Sequence, residues 1–92
     1  MALVTTLAAS QAPNGVQVNA VLPGATATPM TARAAANEEI MSYLERKQPL
    51  TEGMVRAQDV ANAVSSLAGD RSRAITGQHI PVDGGWTVTQ AT

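Results

Sequence analysis

VQVNAVLPG occupies residues 16–24, and its reading decides the fold. Between Val16 and Leu22 only Gln17 and Asn19 are polar. A short, nearly all-apolar run containing β-branched residues is the pattern of a strand covered on both faces, as in a parallel sheet with helices above and below it. Pro23 and Gly24 end the run, since proline has no N–H for a ladder and glycine suits a turn. A strand over residues 16–22 in an α/β fold is therefore expected.

On the N-terminal side, Leu3, Val4, Leu7 and Ala8 recur at helical spacing, so residues 1–12 read as helix. Pro13, Asn14 and Gly15 stop it. No capping residue precedes it, and it reads as the tail of a longer helix. On the C-terminal side, residues 25–37 are small and polar, and Thr28-Pro29 has the chemistry of an N-cap followed by a first helical position. A helix over 38–48 is expected, capped by Asn37 and closed by Pro49. Another over 57–67 carries Val60, Ala61, Val64, Leu67 and Ala68 on one face, and Gly69-Asp70 ends it. A last strand is expected over 78–82, with Pro81 placing it at a sheet edge, followed by a turn at Asp83-Gly84-Gly85. Two strands joined through helices imply one right-handed crossover, with the strands adjacent and parallel. Such a pair is too little sheet to be stable alone.

The chain has 92 residues, which bounds it to a single domain. Its hydrophobic share is 45%, yet it has no Phe, one Trp and one Tyr, so small side chains must build a thin core. Six basic and seven acidic residues leave a net charge of −1 without any run of one sign. A nucleic-acid partner would need a basic stripe, and a membrane-surface helix a basic face; neither is present. The absence of cysteine excludes disulfides and thiolate metal sites. MALVTTLAAS lacks the basic start and apolar core of a signal peptide, and no apolar run approaches ~18 residues. These features lead us to expect a cytoplasmic chain with no nucleic-acid and no membrane partner.

Three segments, in order and at matching spacing, carry a family resemblance. They are VNAVLPGATATPM (residues 18–30), RAQDVANAVSSLAGD (56–70) and ITGQHIPVDGGW (75–86). Together they resemble the C-terminal part of the classical short-chain dehydrogenases/reductases, whose corresponding patterns are N-x-V-x-P-G-x-x-x-T, R-x-x-E-D-V-A and I-T-G-Q-x-I-x-V-D-G-G. The resemblance covers nearly the whole chain. It implies that residues 1–92 are a single partial domain, the C-terminal portion of a Rossmann-type doubly wound parallel sheet. It also implies that Pro23, Gly24, Thr26 and Thr28 would face the nicotinamide of NAD or NADP in a complete enzyme. Gly24 would let the backbone approach a flat ring, Thr26 would offer backbone groups to the carboxamide and Thr28 a hydroxyl. Residues 29–50 match the family's variable substrate loop, and the final strand with Asp83-Gly84-Gly85 matches a region that lies at a subunit interface in many relatives.

The departures bear directly on activity. No Gly-x-x-x-Gly-x-Gly occurs, so the turn that seats a pyrophosphate at a helix N-terminus is missing from these residues. The family's catalytic Ser and Tyr-x-x-x-Lys precede the segment that resembles MALVTTLA, with the Lys falling immediately before Met1. Catalytic residues are thus expected to be absent. Tyr43-Leu-Glu-Arg-Lys47 does spell Tyr-x-x-x-Lys, but it follows the Pro-Gly segment, whereas the family pair precedes it. A solvated helix face with Tyr43 packed at its margin is the expected reading. His79, the sole histidine, has no second His or Cys to share a metal. Asp59 is expected at a helix N-terminus, where it favours the dipole. Asp83 lacks further oxygen ligands at calcium spacing and is expected to make a turn.

Three accounts of function follow. In the first, the chain is the terminal piece of an NAD(P)-dependent oxidoreductase, inactive alone. In the second, it is a non-catalytic module for self-association or docking. In the third, it is one half of a split enzyme completed by a separate N-terminal half. A homo-oligomer or a pairing with that missing half is expected in each.

Overall fold

In a computed structural model, which describes residues 2–89, the chain folds as four short strands and four helices. The helices are α1 (Ala2–Gln11), α2 (Ala32–Ala35), α3 (Glu38–Lys47) and α4 (Ala57–Ala68); the strands are β1 (Ala20–Pro23), β2 (Thr26–Ala27), β3 (Val55–Arg56) and β4 (His79–Val82). The expected start of the first helix at residue 1 lies outside the described residues. Single 3₁₀ turns at Ala12–Asn14, Pro29–Thr31, Pro49–Thr51, Asp70–Ser72 and Trp86–Val88 complete the connections; Pro13 and Pro49, read as helix stops, lie in two of them, and Pro29, read as a first helical position, begins a third.

β1 and β4 pair in parallel, with Leu22 opposite Pro81 and Pro23 opposite Val82. The expected parallel, adjacent arrangement is present, with α2, α3 and α4 in the crossover. Among the described residues β4 has β1 on one side only, so Pro81 sits at an edge where its missing donor costs little. The first strand is shorter than expected, Ala20–Pro23 rather than 16–22. The reason lies in Gln17 and Asn19. Gln17 Nε2 donates to Ile75 O at 2.8 Å, Asn19 Oδ1 accepts from Gln78 N at 3.0 Å, and Val18 N donates to the Thr76 hydroxyl at 3.0 Å. Before Ala20 side-chain bonds thus stand in for part of the ladder, alongside the backbone bond from Gly77 N to Val18 O, and the last strand likewise begins at His79. The expected cover on both faces is also corrected. Ala20, Val21 and Leu22 are only half-buried, and Val16 is exposed.

A second two-stranded sheet, β2 with β3, was not anticipated; it pairs Thr26 with Val55 and Ala27 with Arg56. Two-residue strands are too short to show a periodicity. α3 begins as expected: the Asn37 side chain accepts from Ile40 N at 3.1 Å, and Glu38 and Glu39 occupy the first turn while Arg46 and Lys47 occupy the last. It ends at Lys47, one residue early, with Gln48 turned out of the helix as C-cap. α4 runs one residue further than expected, to Ala68.

The core is small. Ala8, Leu44 and Val55 are the buried apolar residues, whereas Leu3 is 71% exposed. α1 is apolar on most sides, and a helix of that kind ordinarily lies inside a protein. The surface measures 6451 Å², against roughly 5,000 Å² for a compact monomer of this mass. The radius of gyration is 15.6 Å, against about 12 Å for a compact chain of this length. Among the described residues no helix is long and apolar enough to cross a membrane.

Candidate functional site

Because β1 and β4 run parallel, their C-terminal ends lie side by side, and Gly24 N extends the ladder by donating to Val82 O at 3.0 Å. A cleft of about 350 Å³ opens there, lined by Leu22, Pro23, Gly24, Pro81, Asp83 and Trp86 among others. The carboxyl ends of strands in an open α/β sheet are where ligands collect. The lining is mostly apolar, suited to a flat ring, and its volume is at the small end of the ~300–1,000 Å³ usual for ligand pockets.

Beneath the cleft two glycines meet one glutamine. Gln48 is wholly buried. Its Oε1 accepts from Ala25 N at 2.8 Å, and its Nε2 donates to Ala25 O at 3.1 Å and to Gly53 O at 2.7 Å. A Cβ on Gly24 would strike Gln48 Oε1 and lie 2.9 Å from Asp83 Cα. Gly84, at φ 61°, is in the left-handed region, and a Cβ there would strike the Thr51 hydroxyl and lie 2.9 Å from Gln48 Cβ. Gly24 therefore has a reason to lack a side chain inside this chain, apart from any ligand.

Asp83 shapes the other wall. Its Oδ1 accepts from Gly85 N at 3.0 Å, and its Oδ2 accepts from Thr87 N at 3.0 Å and the Thr87 hydroxyl at 2.9 Å. Burial alone would raise the carboxyl, but the Thr87 and Gly85 amides and the Thr87 hydroxyl hold it below its ordinary value. A depressed carboxyl stabilises the fold above its unfolded value of ~3.9 and loses that contribution as pH falls through the lower folded value. The turn is therefore expected to stay closed from neutral pH down to about 4 and to open below it. Trp86, the sole tryptophan, follows Asp83 by three residues and reports the opening by fluorescence. Asp83→Asn should abolish the acid transition, and Asp83→Ala should destabilise by about 1.5–3 kcal/mol. An unaltered acid transition in Asp83→Asn would assign the effect to another group.

Of the four residues implied as cofactor-facing, Pro23 and Gly24 line the cleft. Thr26 and Thr28 lie on the adjoining loop. The Thr26 hydroxyl donates to Gly24 O at 2.9 Å, and Thr26 O accepts from the Thr31 hydroxyl at 2.8 Å. Thr28, an exposed residue, precedes the Pro29 turn as read from the sequence, its N–H donating to the Thr31 hydroxyl at 2.8 Å and its own hydroxyl 3.5 Å from that hydroxyl.

Tyr43 packs edge-on against Trp86, ring centroids 5.8 Å apart, and remains 40% exposed. Lys47 Nζ lies 5.4 Å from the Trp86 ring centre and donates to Thr89 O at 3.4 Å. The pair therefore joins α3 to the C-terminal turn, as a packed helix margin does. His79 opens β4 opposite Ala20 and is half-buried. Asp59 lies in the first turn of α4 and pairs with Arg56 at 3.1 Å, an exposed ion pair of the kind that adds little to stability. Among the described residues no cluster of His, Cys, Asp or Glu is placed to hold a metal.

The sequence reading missed Gln48. A polar residue before a proline at a helix end ordinarily faces water, and no periodicity reveals that this one turns inward.

A family profile described as enoyl-(acyl carrier protein) reductase matches residues 1–87. The 3beta-hydroxysteroid dehydrogenase 1 of Eggerthella lenta is 42% identical over 87 residues, which is 94% of this chain and 33% of that protein. Among solved structures, a short-chain type dehydrogenase/reductase from Mycobacterium ulcerans superposes with a TM-score of 0.90 at 30% identity, covering 98% of this chain and 32% of the other. A 4-hydroxyisoleucine dehydrogenase complexed with NADH gives a TM-score of 0.90 at 29% identity, covering 97% and 36%. The chain thus spans about a third of the length of the relatives it matches.

Proposed function

The chain belongs to the short-chain dehydrogenase/reductase family, and from that premise we propose that it forms the C-terminal, nicotinamide-facing part of an NAD(P)-dependent oxidoreductase acting on a carbonyl or alcohol carbon. The observation that carries this reading is the apolar cleft at the paired ends of β1 and β4, with Pro23 and Gly24 in its wall. Bound there, the nicotinamide would supply the hydride chemistry. This chain's own residues would hold one face of the ring, exclude water with Leu22, Pro81 and Trp86, and keep the Pro23–Thr28 loop in place. Residues 29–50, which include α2 and α3, would shape the substrate side. The rest of the sheet, the pyrophosphate seat and the catalytic Tyr and Lys would come from an N-terminal portion, covalently joined or separate.

The 92-residue chain by itself is then expected to be inactive and to bind dinucleotide poorly. Residues 23–28 reach only the nicotinamide end. A few hydrogen bonds at ~0.5–1.5 kcal/mol net each do not offset the ~4 kcal/mol or more lost on association, so the Kd should be about millimolar or weaker. Without an ordered cofactor no near-attack geometry forms. Calorimetric titration with NADH and NADPH, followed by assay on ketones and alcohols, checks this. Micromolar binding would contradict it, and turnover lost in Tyr43→Phe would make Tyr43 and Lys47 the chemical pair after all. Turnover that appears only when a separately made N-terminal portion is added would support the proposed division of labour.

A further inference from the structure

We infer that Gln48 is a positioning residue that couples the substrate-side helix α3 to the backbone of the Pro23–Thr28 loop. The description of that loop as cofactor-facing rests on the function proposed above; the coupling itself does not.

Three observations carry it. First, the side chain is fully buried although it is polar, and all its hydrogen-bonding groups face main chain: Ala25 N and O on one side, Gly53 O on the other. It therefore brackets Ala25 as a neighbouring strand would, fixing both its donor and its acceptor directions. Second, Gln48 is the C-cap of α3, its own N–H still bonded to Leu44 O at 2.7 Å. Any tilt of α3 thus moves the amide that holds Ala25. Third, Gly24 and Gly84 give up their side chains at the places where Gln48 passes. The loops after β1 and β4 therefore close onto this one residue. Val55 N completes the arrangement by donating to Ala25 O at 2.9 Å, so the carbonyl that Gln48 holds also anchors β3.

A side chain that merely fills space would be replaced without loss by Met, which has similar length and volume but neither donor nor strong acceptor. Amide exchange read residue by residue in the 92-residue chain separates the two roles. In the native sequence Ala25 N–H and the Gln48 side-chain amide protons should exchange slowly. Gln48→Met should speed exchange at Ala25 by about tenfold or more, while Ala20 in β1 and Met41 in α3 keep their native rates. The coupling needs a second arm. Asn37→Ala removes the far cap of α3, and in the native background it should speed exchange at Ala25 by roughly threefold or more. In the Gln48→Met background the same change should leave Ala25 where it was. Native-like protection at Ala25 in Gln48→Met would overturn the proposal, as would equal effects of Asn37→Ala in both backgrounds. So would a rise at all amides together, which marks general loosening, or no protection at Ala25 in the native sequence. None of these readings involves a dinucleotide, so failure of the cofactor reading would show separately in the titrations described above.

Discussion

At micromolar concentration the 92-residue chain is expected to sediment as an assembly, not as a 9.5 kDa monomer. The physical argument is one of uncovered surface. The excess over a compact monomer is roughly 1,400 Å², from 6451 Å² observed and about 5,000 Å² expected. Stable protein contacts bury about 1,200–2,000 Å² in all, half of it on each partner, so covering the excess takes a contact larger than that or two of them per chain. The exposed groups are of the right kind: Leu3 and Leu7 on α1, Val64 on α4 and Leu50 after α3. Among the described residues β1 has β4 on one side and no strand on the other, and an open parallel edge invites another chain. In the proposed whole protein, the N-terminal portion would cover both the edge and α1. Where that portion is not supplied, a second copy is the available cover. Adding the N-terminal portion should therefore displace the contacts that copies make through the β1 edge and α1, while it restores activity. A sharp, well-folded monomer throughout the micromolar range would defeat the argument.

The sequence disclosed the architecture more fully than the site. VQVNAVLPG and the Pro81 strand, separated by two helices of which the first has a recognisable cap in Asn37, were enough to expect a parallel pair. The structure provides it, with Leu22 against Pro81. What the pattern could not show was how few neighbours the strand has: apolarity records that cover is required, not which residues provide it. The shortening of β1 has a similar origin, since Gln17 and Asn19 are polar in a run that otherwise fits a ladder, and their side chains replace backbone bonds. At the site, Pro23 and Gly24 were legible because their backbone chemistry is written in their residue types. Gln48 was not, because a buried glutamine is defined by partners at 25 and 53 that only the folded chain brings together.

Gly24→Ala is expected to be among the most damaging single changes in the chain, although it adds one methyl group. The new Cβ would meet Gln48 Oε1 and lie 2.9 Å from both Asp83 Cα and Asp83 Cβ. The Asp83 backbone has little freedom to retreat, because Trp86 N donates to its carbonyl and its carboxylate is held by Gly85 and Thr87. Gln48 would have to give way, and it is wholly buried, so its amide would leave Ala25 N without a partner, while Gly53 O would keep only the Thr51 hydroxyl. Overpacking costs about 1–3 kcal/mol, and each buried group left unsatisfied about 1–3 kcal/mol more. A total of roughly 2–6 kcal/mol would consume a large part of the stability of a small domain. Gly69→Ala provides the contrast: its Cβ would find no atom nearer than 3.6 Å, and the residue is not at positive φ, so a change within about ±0.5 kcal/mol is expected. Denaturant unfolding of both variants at one fixed protein concentration, so that association does not shift the midpoints, makes the comparison. Equal midpoints would mean that Gln48 and Asp83 leave more room beneath Gly24 than the structure shows. A large loss at Gly24 alone would place the intolerance of that glycine in the protein's own packing, before any cofactor is bound.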